Sequence, residues 1–354
     1  MAILENDEIV LHEILNQPRA WAATIEAVTA QASRLRALAS DVDEIVLTGC
    51  GSGLNAATAI APVCQSVTGV RARAVPAAEV VFYPETVFVR DSRYLVVPIS
   101  RSGTTTETVQ ARDVASGRGM PTLGITCCPD SPLARASTAA LVLEAADEVS
   151  VTTTQSLTAM VLAGQVLSAL ISGDAAYLDQ LRQLPALGER LLDRCHEMGR
   201  MIGTDRTITK FAFVGSGIGI GLAREGQLKI KEMTLLPSDA YPILDFRHGP
   251  KSNVDEHMLI TVLSTDRTRR IEGEFLAEMR GLGGRQLLLC ERADGALRAH
   301  ATWTIEVESG LTDFARDILF MLPIHFLAYY KSLSLGLSPS TPINLSYWVA
   351  TQSL

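Results

Sequence analysis

Short apolar runs recur along this chain, each followed by glycines or hydroxyl residues and then by a segment with helical spacing. The first is the run at 44–48, which leads through "TGCGSGLN" into a small-residue helix at about 55–68. "ARAVPA" (72–77), "YLVVPIS" (94–100), "TLGITCC" (122–128) and "AALVLEA" (139–145) follow, with helical patterns at about 104–117 and 154–172. Strands that alternate with helices predict βαβ crossovers and a parallel sheet covered on both faces. The second half repeats the scheme. "TKFAFVGSGIGIGLAREGQLKIKE" (209–232) again reads strand, glycine turn, helix, and "MLITVLSTD" (258–266) and "RQLLLCER" (285–292) supply further strands. The two strand–glycine–helix units lie roughly 165 residues apart, far beyond a solenoid period.

The pattern predicts an α/β fold of two similar subdomains, each a parallel sheet flanked by helices in a flavodoxin-like three-layer sandwich. Two amphipathic helices occupy 7–39, with Pro18 in the first turn of the second. Residues 174–205 form a helical connector, and "DFARDILFMLPIHFLAYYKSLSLGL" reads as a long buried helix interrupted near Pro323. The boundaries are N-terminal helices 1–40, a first domain 41–185, and a second domain 186–354 that includes a C-terminal tail.

Composition narrows the function. A chain of 354 residues that is 47% hydrophobic and 20% charged can bury two ordinary cores. A net charge of −8 without a basic block, and 5% aromatics, argue against nucleic acid. Six cysteines without CxxC spacing read as reduced thiols, the N-terminus lacks an apolar signal core, and no run of 18 apolar residues appears. A cytoplasmic protein with no membrane contact is expected. No His/Cys/Asp cluster has metal-ligand spacing, so neither metal nor organic cofactor is expected.

Two stretches carry candidate chemistry. "SRSGTTTET" (100–108) crowds Ser100, Ser102, Thr104, Thr105 and Thr106 around Gly103 where a helix should begin. An N-cap needs one hydroxyl; five, with free backbone N–H groups, suit phosphate oxygens. The lack of GK[ST] points to a sugar or small-metabolite phosphate rather than a nucleotide. "SVTTTQS" (150–156) opens another helix, and the two clusters together are placed to grip one phosphate. Glu225, Lys229 and Glu232 fall on one helical face, and His248 follows closely in "FRHGPKS". A surface ion pair is the plain alternative, but this helix should be packed, so its polar face is expected to line a cleft.

These motifs, in this order, resemble the double-SIS (sugar isomerase) family, which includes the isomerase half of glucosamine-6-phosphate synthase. "NQPRAW" and "FRHGPKSNVD" are more similar to the galactosamine-6-phosphate deaminase/isomerase branch. The resemblance implies that Ser100, Arg101, Ser102, Gly103 and Thr105 contact the phosphate and sugar. It places Cys50, Gly51 and Ser52 beneath the sugar, with Thr153 nearby and Glu225 as a supporting carboxylate. Glu232 is then the base that moves a proton between C1 and C2, Lys229 its neighbour, and His248 the ring-opening group supplied by a partner subunit of a homodimer.

Arg101 stands where glutamine is frequent, and "NLSYW" puts Tyr347 where synthases keep a lysine. The sequence as given carries no glutaminase half. The implied activity is isomerisation of a hexose or hexosamine 6-phosphate coupled to amine loss, giving a ketohexose phosphate and ammonia. A deglycase of phosphorylated sugar–amino-acid adducts and a non-catalytic phosphosugar sensor are the alternatives.

Overall fold

The computed structural model describes residues 2–347. The chain forms two compact units. The N-terminal unit comprises Asn16–Pro185 and takes in the tail from Asn344; the C-terminal unit comprises Ala186–Ile343 together with the segment through Leu15. These units differ from the sequence boundaries at both ends, since the helix Ala2–Leu15 joins the second unit and the tail joins the first.

The N-terminal unit holds β1 (Glu44–Gly49), β2 (Arg71–Pro76), β3 (Tyr94–Ile99), β4 (Leu123–Thr126) and β5 (Ala139–Val142) in the order β2-β1-β3-β4-β5. All pairs are parallel. β1 and β3 are buried along their whole length, as continuous apolar runs in a doubly covered sheet should be. Helix Gln155–Ser172 is long and apolar enough to cross a membrane, yet 89% of it is buried inside the fold. It packs on helices Gln17–Thr29 and Ser52–Thr68, and the Trp21 indole donates to Thr158 Oγ1 at 2.8 Å. It is the unit's core helix.

The C-terminal unit repeats the topology with β6 (Lys210–Gly215), β7 (Ser238–Pro242), β8 (Met258–Leu263), β9 (Arg285–Cys290) and β10 (Trp303–Glu306). Their order, β10-β9-β8-β6-β7, is the same arrangement read from the other edge, and again every pair is parallel. Both sheets follow the 2-1-3-4-5 order of doubly wound flavodoxin-like folds. The repeat extends to the backbone. Gly51 and Gly217 cap the helices Ser52–Thr68 and Ile218–Thr234 with φ of 52° and 57° and ψ of −125° and −126°. A side chain is strained at such positive φ, which is why glycine recurs there.

Strands β7 and β10, and several short helices, are absent from the sequence reading. The interruption expected near Pro323 falls earlier, in the 3₁₀ turn Asp317–Phe320. Pro323 itself lies in the first turn of helix Met321–Ser334, where its missing N–H costs no bond.

Candidate active site

In this sheet order the chain leaves β1 and β3 in opposite directions, and ligands of doubly wound folds bind beyond the carboxyl ends of strands at such a switch point. The loops after β1 and β3, which carry Ser52 and the Ser100–Thr105 hydroxyls, begin there. The loop after β3 is held rigidly. Thr126 Oγ1 and the Cys127 N–H both donate to Arg101 O at 2.9 Å, and the Leu133 N–H donates to Gly103 O at 3.1 Å. Gly103 has φ of 62°, and a Cβ there would lie 2.2 Å from Ser131 Oγ. No other residue fits that position.

Within the loop Ser100 Oγ lies 3.0 Å from Thr105 Oγ1 and accepts from the Gly103 N–H at 3.2 Å. Thr104 Oγ1 donates to Ser102 Oγ at 2.9 Å. Thr105 is the N-cap of helix Thr106–Gly117, but its hydroxyl does not cap the helix. The loop thus sets clustered hydroxyls beside the N-terminus of this helix, an arrangement suited to an anion. Beside this loop lies a cavity of about 320 Å³ lined by Ser102, Thr104, Cys128, Ser131, Asp147 and Tyr347 among others.

The structure corrects one expectation and redirects another. The Thr152–Thr154 cluster does not offer its helix start to a phosphate, because Glu148 already occupies it. The Glu148 carboxylate accepts from the Thr154 N–H and hydroxyl at 2.6 and 2.7 Å, from the Gln155 N–H at 2.9 Å, and from the Ser156 hydroxyl. What remains outward is Thr153, whose Oγ1 donates to Ser52 Oγ at 2.8 Å, joining two residues that the family resemblance implies lie near the sugar.

Arg101 is buried and directs its guanidinium away from the loop. It donates to Ser150 O and Tyr347 O, each at 2.9 Å, lies 3.9 Å from the Glu148 carboxylate, and stacks 4.0 Å above the Tyr347 ring. The Tyr347 hydroxyl donates to Glu148 O at 2.8 Å, and burial pushes its pKa up. Arg101 and Tyr347 thus engage each other. Burial likewise raises the Cys50 and Cys128 thiols, seconded by Glu107 and Asp147 respectively, so neither is a ready thiolate.

The C-terminal unit carries the charged helix face. On Ile218–Thr234, Glu225 and Lys229 are fully buried. Lys229 Nζ lies 3.3 Å from Glu225 Oε1 and donates to Glu232, whose side chain alone of the three remains partly exposed, at 21%. Burial by itself would lower the Lys229 pKa; Glu232 and then Glu225 reverse that, leaving it above the usual value. The ammonium fixed between two carboxylates orients Glu232 while leaving it accessible, which a proton-abstracting group requires.

His248 is exposed on the turn after the 3₁₀ segment Asp245–Arg247, and its N–H donates to Asp245 O at 2.9 Å. Arg247 and Lys251 both pair with Glu278, at 2.6 and 2.7 Å, and so tie this loop to helix Arg269–Gly281. The structure therefore brings together Ser100 with Thr105, Ser52 with Thr153, and Glu225 with Lys229 and Glu232.

Sequence reasoning missed three buried groups. His325 is fully buried with neither ring nitrogen hydrogen-bonded among the described residues, and burial, then the Lys229 charge, lowers its pKa to about 3. Burial raises Asp317 well above the carboxylate range. Glu272 is sealed within a loop of hydroxyls, and burial raises its pKa too. Isolated acids and histidines between apolar residues give no sequence signal of this kind. Among the described residues no group of three or more His, Cys, Asp or Glu is placed to hold a metal.

The topology and the glycine and hydroxyl loops define a tandem α/β protein with its candidate chemistry beyond the strand ends. The SIS-domain family matches residues 38–170 and 208–322, and the chain belongs to that family. It is 27% identical over 382 aligned positions to the glutamine–fructose-6-phosphate aminotransferase (isomerizing) of Pseudomonas syringae pv. tomato, covering 98% of this chain and 59% of that protein. The chain spans about half the length of the curated relatives it matches. Among solved structures it is similar to tagatose-6-phosphate ketose/aldose isomerase from Escherichia coli, with a TM-score of 0.86, 25% identity and 94% of each chain covered. It is also similar to glucosamine-6-phosphate deaminase from Thermotoga maritima, with a TM-score of 0.74, 26% identity, and 92% of this chain and 99% of that one covered.

Proposed function

We propose that the protein is a cytoplasmic aldose–ketose isomerase of hexose or hexosamine 6-phosphates, and that with an amino sugar it releases the amine. The observation that carries this reading is the Glu225–Lys229–Glu232 arrangement, which leaves one carboxyl group accessible on an otherwise buried polar face. Ser100, Ser102, Gly103 and Thr105 hold the phosphate through hydroxyls and helix N–H groups, while Cys50, Gly51, Ser52 and Thr153 contact the sugar. Arg101 serves by fixing the 148–152 turn and Tyr347, in keeping with its buried guanidinium.

The chemistry follows from these roles. His248, supplied by the second subunit of a homodimer, gives a proton to the ring oxygen and takes one from the C1 hydroxyl, opening the hemiacetal. Glu232 then removes the C2 proton and returns it at C1, through an enolamine when C2 bears nitrogen. The resulting C2 imine adds water and expels ammonia, giving ketohexose 6-phosphate. Remote binding of the phosphate holds the reacting carbons in place. The resemblance to a solved glucosamine-6-phosphate deaminase supports the amine-releasing direction, as does Tyr347 in place of a Schiff-base lysine.

The test is ammonia and ketose phosphate release from glucosamine 6-phosphate, galactosamine 6-phosphate and fructoselysine 6-phosphate, with free lysine assayed alongside. Ammonia with ketose phosphate supports deamination and identifies the epimer. Free lysine from the adduct would replace deamination with deglycation. Thermal stabilisation by any of them without turnover would leave a plain isomerase or a sensor.

A further inference from the structure

The two sheets share one strand order, so the loop after β8 in the C-terminal unit occupies the place that the Ser100–Thr105 loop occupies after β3. It too is rich in hydroxyls, with Ser264, Thr265 and Thr268 before helix Arg269–Gly281. Three of its donors, however, converge on one carboxylate. Glu272, one turn into that helix and 1% exposed, accepts from the Ser264 hydroxyl, the Thr268 hydroxyl and, at 3.1 Å, the Thr265 N–H. Two hydroxyls and a backbone N–H around an oxyanion are the contacts a phosphate group would take. In the N-terminal unit the residue four places after the N-cap is Val109, which offers no such group.

A second buried acid lies beside the neighbouring glycine turn. A Cβ on Gly219 would lie 3.8 Å from Asp317 Oδ2, and one on Gly217 would lie 3.8 Å from the Phe314 ring. Asp317 is fully buried, and neither of its oxygens is hydrogen-bonded among the described residues. The Ser264–Thr268 loop is therefore filled from within the chain by Glu272, with a second buried acid close by.

We infer that the Ser264–Thr268 loop is a second, latent phosphate seat kept closed by the Glu272 carboxylate acting as an internal substitute for the anion. Each chain then takes one phosphorylated ligand, and only the N-terminal unit admits it. The inference rests on the reading of Ser100–Thr105 as a phosphate loop, and its test separates the two. Binding of inorganic phosphate is measured by equilibrium titration on the full chain, Glu272→Ala, Ser102→Ala and the double variant.

One site in the wild type, two in Glu272→Ala and one surviving in the double variant are expected, with phosphate raising the melting temperature of Glu272→Ala more than that of the wild type. Phosphate binding to Glu272→Ala but not to the wild type would preserve the latent seat and discard the phosphate loop. A folded Glu272→Ala with no added site would overturn the inference. Should that variant not fold, refolding decides: recovery in phosphate but not in chloride of equal ionic strength supports the latent seat, and failure in both overturns it.

Discussion

Replacing Lys229 by methionine removes the ammonium that lies 3.3 Å from Glu225 and donates to Glu232. Glu225 is fully buried, so its carboxylate must then either remain charged in a low-dielectric interior or take up a proton. Removing one partner of a buried pair costs about 3–5 kcal/mol, whereas an exposed pair at this helical spacing contributes only about 0.3–0.5 kcal/mol. The two readings differ tenfold. For a unit of this size, about 2–4 °C per kcal/mol translates a loss of about 4 kcal/mol into a melting point lower by about 8–16 °C. Urea unfolding of Lys229→Met, Glu225→Gln and the double variant measures the coupling. With both charges gone the buried anion disappears, so the double variant should be more stable than Lys229→Met and the coupling should reach about 2 kcal/mol. A loss below about 1 kcal/mol for Lys229→Met, or simple additivity, would refute the buried ion pair.

Other consequences are as direct. His325 is held neutral, with a pKa lowered from 6.5 to about 3, so its contribution to stability is intact above pH 6.5 and is lost as pH falls through that window. Unfolding free energy should drop there by up to about 1.4 kcal/mol per pH unit, and His325→Leu should flatten the slope; equal slopes in both proteins would contradict this. Cys64, Cys127, Cys195 and Cys290 are buried and Cys50 and Cys128 are not, so a thiol reagent should label only the latter two in the native state. Glucose 6-phosphate should slow that labelling, and an unchanged rate at both would remove them from the site. Arg101→Gln loses two bonds to carbonyls and its stack on Tyr347, a cost of about 2–4 kcal/mol. Phosphosugar affinity should change less than threefold; a larger loss at unchanged stability would make Arg101 a ligand contact.

Much of this arrangement is legible in the sequence because its signals are local. β1, β3, β6 and β8 are continuous apolar runs, and the glycine turns announce the helices that follow. β7, with the sequence SDAYP, and the four-residue β10 escaped notice because both are edge strands, half exposed and without an apolar run. The alignment of Glu225, Lys229 and Glu232 follows from helical spacing alone. The roles of Glu148 and Glu272 do not, since both depend on which loop the fold lays over each carboxylate. Hydroxyls at a helix start look the same in sequence whether an internal acid or an external anion occupies them.

Proton transfer by Glu232 is tested most directly by hydrogen exchange into the substrate carbons. A hexose 6-phosphate incubated with the protein in D2O should acquire deuterium at the carbon that exchanges a proton between C1 and C2, read by NMR. Glu232→Gln should lose this exchange by about 100-fold or more, while the sugar phosphate still raises its melting temperature. Exchange at the wild-type rate in Glu232→Gln would contradict the assignment of the base.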